Sequence, residues 1–146
     1  PSDTVTGRRV PTPTEVVDVV AIQRGTGDPN RVIIISGHLD SRVTDVMDFT
    51  SDAPGANDDA SGVAAVLEAA RILSAYQFDA TLVYAVLSGE EQGLWGGKLL
   101  AATAKSQLAT SWQPAAVAMP CTLAITGTGK WTRLCITLPQ RANSAW

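Results

Sequence analysis

Three short polar clusters hold the side chains of this 146-residue chain whose types and spacing could do chemistry. His38 and Asp40 stand in Gly37-His-Leu-Asp-Ser41, Asp58 and Asp59 in Pro54-Gly-Ala-Asn-Asp-Asp-Ala-Ser-Gly62, and Glu90 and Glu91 in Ser88-Gly-Glu-Glu-Gln-Gly93. A carboxylate two residues after a histidine is placed to orient its imidazole. Divalent metals of hydrolytic enzymes take imidazole nitrogen and carboxylate oxygen, and a carboxylate with two free oxygens can bridge two ions. Each cluster also has a plainer reading. His38 could be a hydrogen-bonded loop residue, Asp58 or Asp59 an N-cap, and Glu90 and Glu91 complements to the dipole of a helix that begins near Leu94.

The elements around the clusters decide whether they meet. Arg31 to Ser36 and Thr81 to Leu87 are unalternating β-branched runs, which fit strands buried on both faces. Between them Val63, Val66, Leu67, Ala70 and Leu73 recur at helical spacing, so Asp58 and Asp59 lie at a helix N-terminus. Strand, helix and strand make a right-handed crossover with the strands parallel. His38, Asp40, Asp58, Glu90 and Glu91 then emerge at one sheet edge, outside the carboxyl ends of the strands, where α/β folds bind ligands. Upstream, Pro11 to Thr14 is a stiff lead-in and Glu15 to Arg24 a strand. The turn-rich Gly25 to Asn30 is expected to join that strand to the next as an antiparallel hairpin. Arg42 to Ala56 reads as a long surface loop, Leu94 to Gln107 as a second helix, and Trp95 and Trp112 as packing residues.

Composition narrows the classes. At 45% hydrophobic, net charge −3 and pI near 5.0, the chain reads as one globular domain or part of one, without the basic footprint of a nucleic-acid binder. No apolar run approaches the roughly 20 residues of a membrane span, and Pro1 to Arg9 hold no apolar core of a signal peptide. Cys121 and Cys135 lack metal-binding Cys-x-x-Cys spacing. Ala124 to Trp131 departs from the phosphate-loop pattern at both ends, and no Gly-x-Ser-x-Gly elbow exists.

Together the three motifs, in this order and at this spacing, resemble the di-zinc aminopeptidases of metallopeptidase family 28, the group of the bacterial leucyl aminopeptidases, over roughly Val10 to Gln107. The resemblance implies a three-layer α/β/α fold with a mixed, largely parallel central sheet of the zinc-peptidase, phosphorylase/hydrolase-like kind, here incomplete. It implies two Zn²⁺ ions per complete site and peptide substrates with a free N-terminus. His38 looks like a ligand of the first zinc, Asp58 like the bridge and Glu91 like a ligand of the second. Glu90 looks like the general base, and Asp40 like the carboxylate that orients His38. Asp59 is expected to fix the backbone or cap the helix. The resemblance also implies a secreted or periplasmic protein, and the composition given above speaks for neither nucleic acid nor membrane as partner.

The pattern breaks downstream. All fourteen acidic residues lie at or before Glu91, whereas the last fifty-five residues hold five basic residues and no carboxylate side chain. The family site needs a further Asp and a second His, and neither exists here. If Ala115 to Val117 starts the next strand, the aspartate position falls near Cys121, a thiolate that could replace it. The chain is therefore read as a partial zinc-peptidase domain, family-like to about residue 111, with an atypical tail over 112–146. A reading-frame change near Ser111 in the coding sequence would account for the break. Other strands are expected within Pro114 to Ile125 and at Leu134 to Leu138. Two other readings stand beside the aminopeptidase: a non-catalytic binding or scaffold homologue that has lost its metals, and a single-zinc enzyme like the glutaminyl cyclases.

Overall fold

The computed structural model describes residues 1–111, 122–125 and 131–134. In chain order these form β1 (Ser2–Gly7), β2 (Val10–Val17), β3 (Val19–Gln23), β4 (Asp28–His38), an irregular turn (Ala56–Ala60), α1 (Ser61–Leu73), β5 (Ala80–Leu87), α2 (Trp95–Ser111), β6 (Thr122–Ile125) and β7 (Trp131–Leu134). The result is a mixed α/β fold with two sheets. β1 and β2 pair antiparallel by themselves, and the larger sheet has the order β3-β5-β4-β6-β7.

The unalternating run Thr81–Leu87 becomes the most buried strand, with every residue of β5 from Ala80 to Val86 buried. It pairs parallel with β4 in a register that sets Val32 opposite Thr81 and His38 opposite Leu87. The two polar clusters therefore leave the sheet at one edge, as the crossover argument requires. Leu82, Tyr84 and Val86 face one way and pack with Val66 of α1, flanked by Ile33, Ile35, Val63 and Leu73. Each such side chain contributes about 1.5–3 kcal/mol through the apolar surface it removes from water. Gln23 closes the far end: its amide donates to the Leu73 and Tyr76 carbonyls that finish α1, and its carbonyl accepts from the Tyr84 hydroxyl.

The expected hairpin between the strand at Glu15–Arg24 and the next strand does not form. The stretch is cut at Asp18, so that Glu15–Val17 belongs to β2, whereas Val19–Gln23 pairs antiparallel with β5 and not with β4. The physical reason lies in the turn-rich segment. Gly25 N–H donates to the Thr81 hydroxyl, and Thr26 and Asp28 N–H donate to the Phe78 and Asp79 carbonyls, so the chain crosses the start of β5 before entering β4. A Cβ on Gly25 would stand 2.2 Å from the Asp79 carbonyl oxygen. The lead-in at Pro11–Thr14 likewise lies within strand β2, whose two-stranded sheet leaves an open edge where proline is tolerated.

Residues 42–55 carry no helix or strand, in keeping with a long loop, and α2 covers the expected second helix. Trp95, at its first position, packs its ring against Gly7 of β1. Of the strands expected in the tail, one lies at Thr122–Ile125, pairing parallel with β4 through Ser36 and Ala124. Another is at Trp131–Leu134, ahead of the expected Leu134–Leu138. Trp112, Ala115 to Val117 and Cys121 lie outside the described residues. No helix among the described residues is long and apolar enough to cross a membrane.

Candidate functional site

The site is built where the end of β4 meets the start of α1. Two glycines let these elements touch: a Cβ on Gly37 would stand 2.8 Å from Gly62 C and Val63 N, and one on Gly62 would strike the Asp59 carboxylate. Helical dihedrals begin at Ala60, so Asp59 is the N-cap, and its Oδ1 accepts from Gly62 N–H at 3.0 Å. Its other oxygen accepts from His38 N–H at 3.1 Å, and the residue is 2% exposed. One buried carboxylate thus ties the helix start to the strand end. The peptide bond between Asp58 and Asp59 is cis, and Asp58, 49% exposed at its side chain, faces the His38 ring.

His38 is buried. Its Nδ1–H donates to the Asp40 carbonyl oxygen at 2.9 Å, and because a carbonyl has no proton to give, the hydrogen sits on Nδ1. Nε2 then faces Asp58 Oδ1 at 3.1 Å and Glu90 Oε2 at 3.9 Å. A bare ring nitrogen and two carboxylates are all acceptors, so this arrangement calls for a positive charge among them: a proton on Nε2 or a metal ion. As protein groups alone they favour the proton. Burial works against a charged ring, yet the hydrogen bond to Asp40 and the charges of Glu90 and Asp40 outweigh it and push the His38 pKa up to about 9.

Asp40 organises both halves of the site. Its carboxylate stands 3.6 Å from His38 Nδ1 while its two oxygens accept from Glu90 N–H at 3.0 Å and Glu91 N–H at 2.9 Å. Burial disfavours its charge, but these hydrogen bonds and His38 hold the carboxyl below its ordinary pKa. Glu90 is shifted the other way. Burial raises its pKa, and despite the pull of His38 the charges of Glu91, Asp40 and Asp58 add to the rise. Glu91 turns elsewhere: its Oε2 accepts from Arg42 Nε at 2.6 Å.

The structure therefore brings His38, Asp40, Asp58 and Glu90 together and leaves the Glu91 carboxylate in an ion pair. His38 and Asp58 fit zinc in donor type and direction. They are two donors, and among the described residues no three His, Cys, Asp or Glu side chains are grouped to hold an ion. Sequence reasoning passed over Arg42. The signal was present, since Arg42 is the sole Lys or Arg between Arg31 and Arg71, in a loop rich in aspartate.

Fold and site together define a class: an α/β domain with a histidine and carboxylates gathered at the carboxyl ends of parallel strands. The chain belongs to peptidase family M28, which it matches over residues 18–140. It is 55% identical over 98 residues to a "probable zinc metalloprotease" of Leptosphaeria maculans, an alignment covering 67% of this chain and 23% of that protein. A relative of the same description from Pyrenophora teres f. teres is 51% identical over 98 residues, covering 67% and 20%. The chain thus spans about a fifth of the length of these curated relatives. Among solved structures, an aminopeptidase from Aneurinibacillus sp. strain AM-1 aligns at 39% identity and a TM-score of 0.48, over 59% of this chain and 20% of that one.

Proposed function

We propose that this chain carries the front part of the catalytic domain of a zinc-dependent aminopeptidase, which hydrolyses the N-terminal bond of peptides, and that its own residues leave the metal site short of ligands. One observation carries the reading: His38 Nε2, Asp58 Oδ1 and Glu90 Oε2 converge at the carboxyl end of β4. Membership of the peptidase family and the zinc metalloproteases among its relatives support it. The proposal includes the three-layer α/β/α arrangement with a largely parallel sheet, two zinc ions in the complete site, and a secreted or periplasmic setting.

In this reading His38 and Asp58 would hold the first zinc, and Asp58 and Glu91 would serve the second. Bound zinc supplies a polarised scissile carbonyl and a water of lowered pKa. Glu90 would be the base: its carboxyl, raised from the ordinary value, would take a proton from water at Oε2 and return it to the leaving amine. Asp40 holds the His38 ring through its carbonyl and the backbone of Glu90 and Glu91 through its carboxylate, so base and ligands keep their spacing.

The 146 residues contain no carboxylate side chain after Glu91 and no histidine besides His38. Each ion is then one short of the three protein ligands on which catalytic zinc relies. Cys121 is the one candidate substitute, for the first ion. The expected outcome is weak zinc binding that depends on His38, and little or no release of a chromogenic amine from an aminoacyl substrate. Two tightly held zincs with chelator-sensitive turnover would overturn the incompleteness. Zinc binding that His38→Ala leaves unchanged, or none at all, would overturn the metallopeptidase reading in favour of a binding or scaffold domain.

A further inference from the structure

The loop at 42–55 springs from the His38 cluster and returns to it. Asp40, just before the loop, meets His38 Nδ1 through its carbonyl at 2.9 Å, and Asp58, just after it, meets Nε2 at 3.1 Å. The neck is narrow: Gly55 takes φ 52°, which glycine adopts at little cost, and a Cβ there would stand 2.6 Å from Ser41 Cβ. We propose that this loop is a strap, latched to the turn at 90–92 by Arg42 and Gln92, which opens as a unit when the latch parts while the His38 cluster stays in place.

Two side chains make the latch. Arg42 Nε donates to Glu91 Oε2 at 2.6 Å, and Gln92 Nε2 donates to the Val46 carbonyl at 3.1 Å. The other side-chain hydrogen bonds of the loop stay inside it. Arg42 NH1 donates to the Val43 and Thr44 carbonyls, Asp45 accepts from Met47 N–H, and Asp48 accepts from the N–H and hydroxyl groups of Thr50 and Ser51. The strap therefore keeps its own shape when it lifts. No residue of 42–55 is buried, and Phe49 is 94% exposed, so few apolar contacts oppose opening. Opening also relieves a cost of the closed form, because Gln92 Oε1 is buried there without a partner among the described residues and gains water once the strap lifts. The groups that hold His38, from Asp40, Asp58 and Asp59, lie outside the strap and use none of its side chains.

Chymotrypsin cleavage of the full 146-residue chain after Phe49 tests this, because cleavage follows the open fraction when reclosing is fast. Tyr76, 57% exposed beyond α1, is the reference site for general loosening. Relative to it, Arg42→Ala is expected to speed cleavage after Phe49 about 5-fold, as befits a partly exposed charged hydrogen bond, and Gln92→Ala about 3-fold. Added salt should speed the parent chain and leave Arg42→Ala unmoved. His38 is the only histidine, and its imidazole resonance should stay at the folded position in every variant. Arg42→Gln takes the place of the alanine variant if that fails to fold, as judged by circular dichroism. No excess cleavage after Phe49 in the Arg42 and Gln92 variants overturns the proposal. Equal acceleration after Phe49 and Tyr76, or loss of the folded His38 resonance, overturns it too, because the loop then moves only with the whole fold.

Discussion

The ends of β4 and β5 carry the two halves of the site, and they are stabilised by different means. At the β4 end, Asp59 is 2% exposed and satisfies both Gly62 N–H and His38 N–H, so strand end and helix start form one hydrogen-bonded unit around two glycines. At the β5 end, Glu90 and Glu91 sit on a turn closed by Gly89 at φ 68° and Gly93 at φ 130°, and their backbone is held from outside by Asp40. The first half is positioned by the core. The second is positioned by the first, through one carboxylate, and its Glu91 side chain pairs with an exposed arginine. Geometry built into secondary structure survives a change of partner, whereas geometry borrowed through side chains moves with it.

The sharpest way to break this comparison is Asp59→Ala. It leaves two buried N–H groups without an acceptor, at about 1–3 kcal/mol apiece, so a loss of about 3 kcal/mol in a denaturant unfolding curve is expected. Gly37→Ala attacks the same junction from the strand side, where the atoms in the way are backbone. A loss of about 2 kcal/mol follows from overpacking. Asp40→Ala should separate the halves. Stability falls by about 1.5 kcal/mol for the lost charge-assisted bonds, while metal affinity drops about 10- to 100-fold, because Glu90 and Glu91 lose their register with His38. Equal effects of Asp59→Ala and Asp40→Ala on folding would mean that both halves belong to the core.

The smallest expected effect concerns Asp18, which supports the β5 end from behind. Its Oδ1 accepts from Ser88 N–H at 3.0 Å, its Oδ2 is buried without a partner, and a Cβ on Gly96 would strike it. Burial raises its pKa, against the pull of Ser88 and of the Pro1 amino group. A raised carboxyl pKa means that the fold binds the proton more tightly than the unfolded chain does. The stability Asp18 contributes is therefore greatest below its unfolded pKa and falls as pH rises through the folded one. Asp18→Asn, neutral throughout, should show no such fall. The difference between the two thermal midpoints should widen in favour of Asn over that range, and a constant difference would refute the assignment.

Much of the β4 half was legible in sequence. Unalternating runs announced two parallel strands, of which β5 is buried throughout and β4 only in part, the helical spacing after Asp59 announced α1, and a βαβ unit can bring His38 and Asp58 together only at the carboxyl end. The other neighbour of β5, the antiparallel β3, was not legible. Val19 to Gln23 is apolar enough to pair with either parallel strand, and the choice fell to Gly25 to Asp28, whose close passage over the start of β5 exists only once Thr81 and Asp79 are in place.

Residue types and local spacing determined which side chains could be ligands, because helix and strand periodicity fix direction within an element. They also determined that carboxylates run out after Glu91, because composition needs no fold to be read. Only tertiary structure decided that adjacent aspartates part, Asp58 to the His38 ring and Asp59 to the junction, and that Glu91 meets Arg42. Both outcomes depend on groups distant in the chain, the His38 amide in one case and a guanidinium forty-nine positions away in the other. A partner's charge and burial exist only after the chain has folded around them.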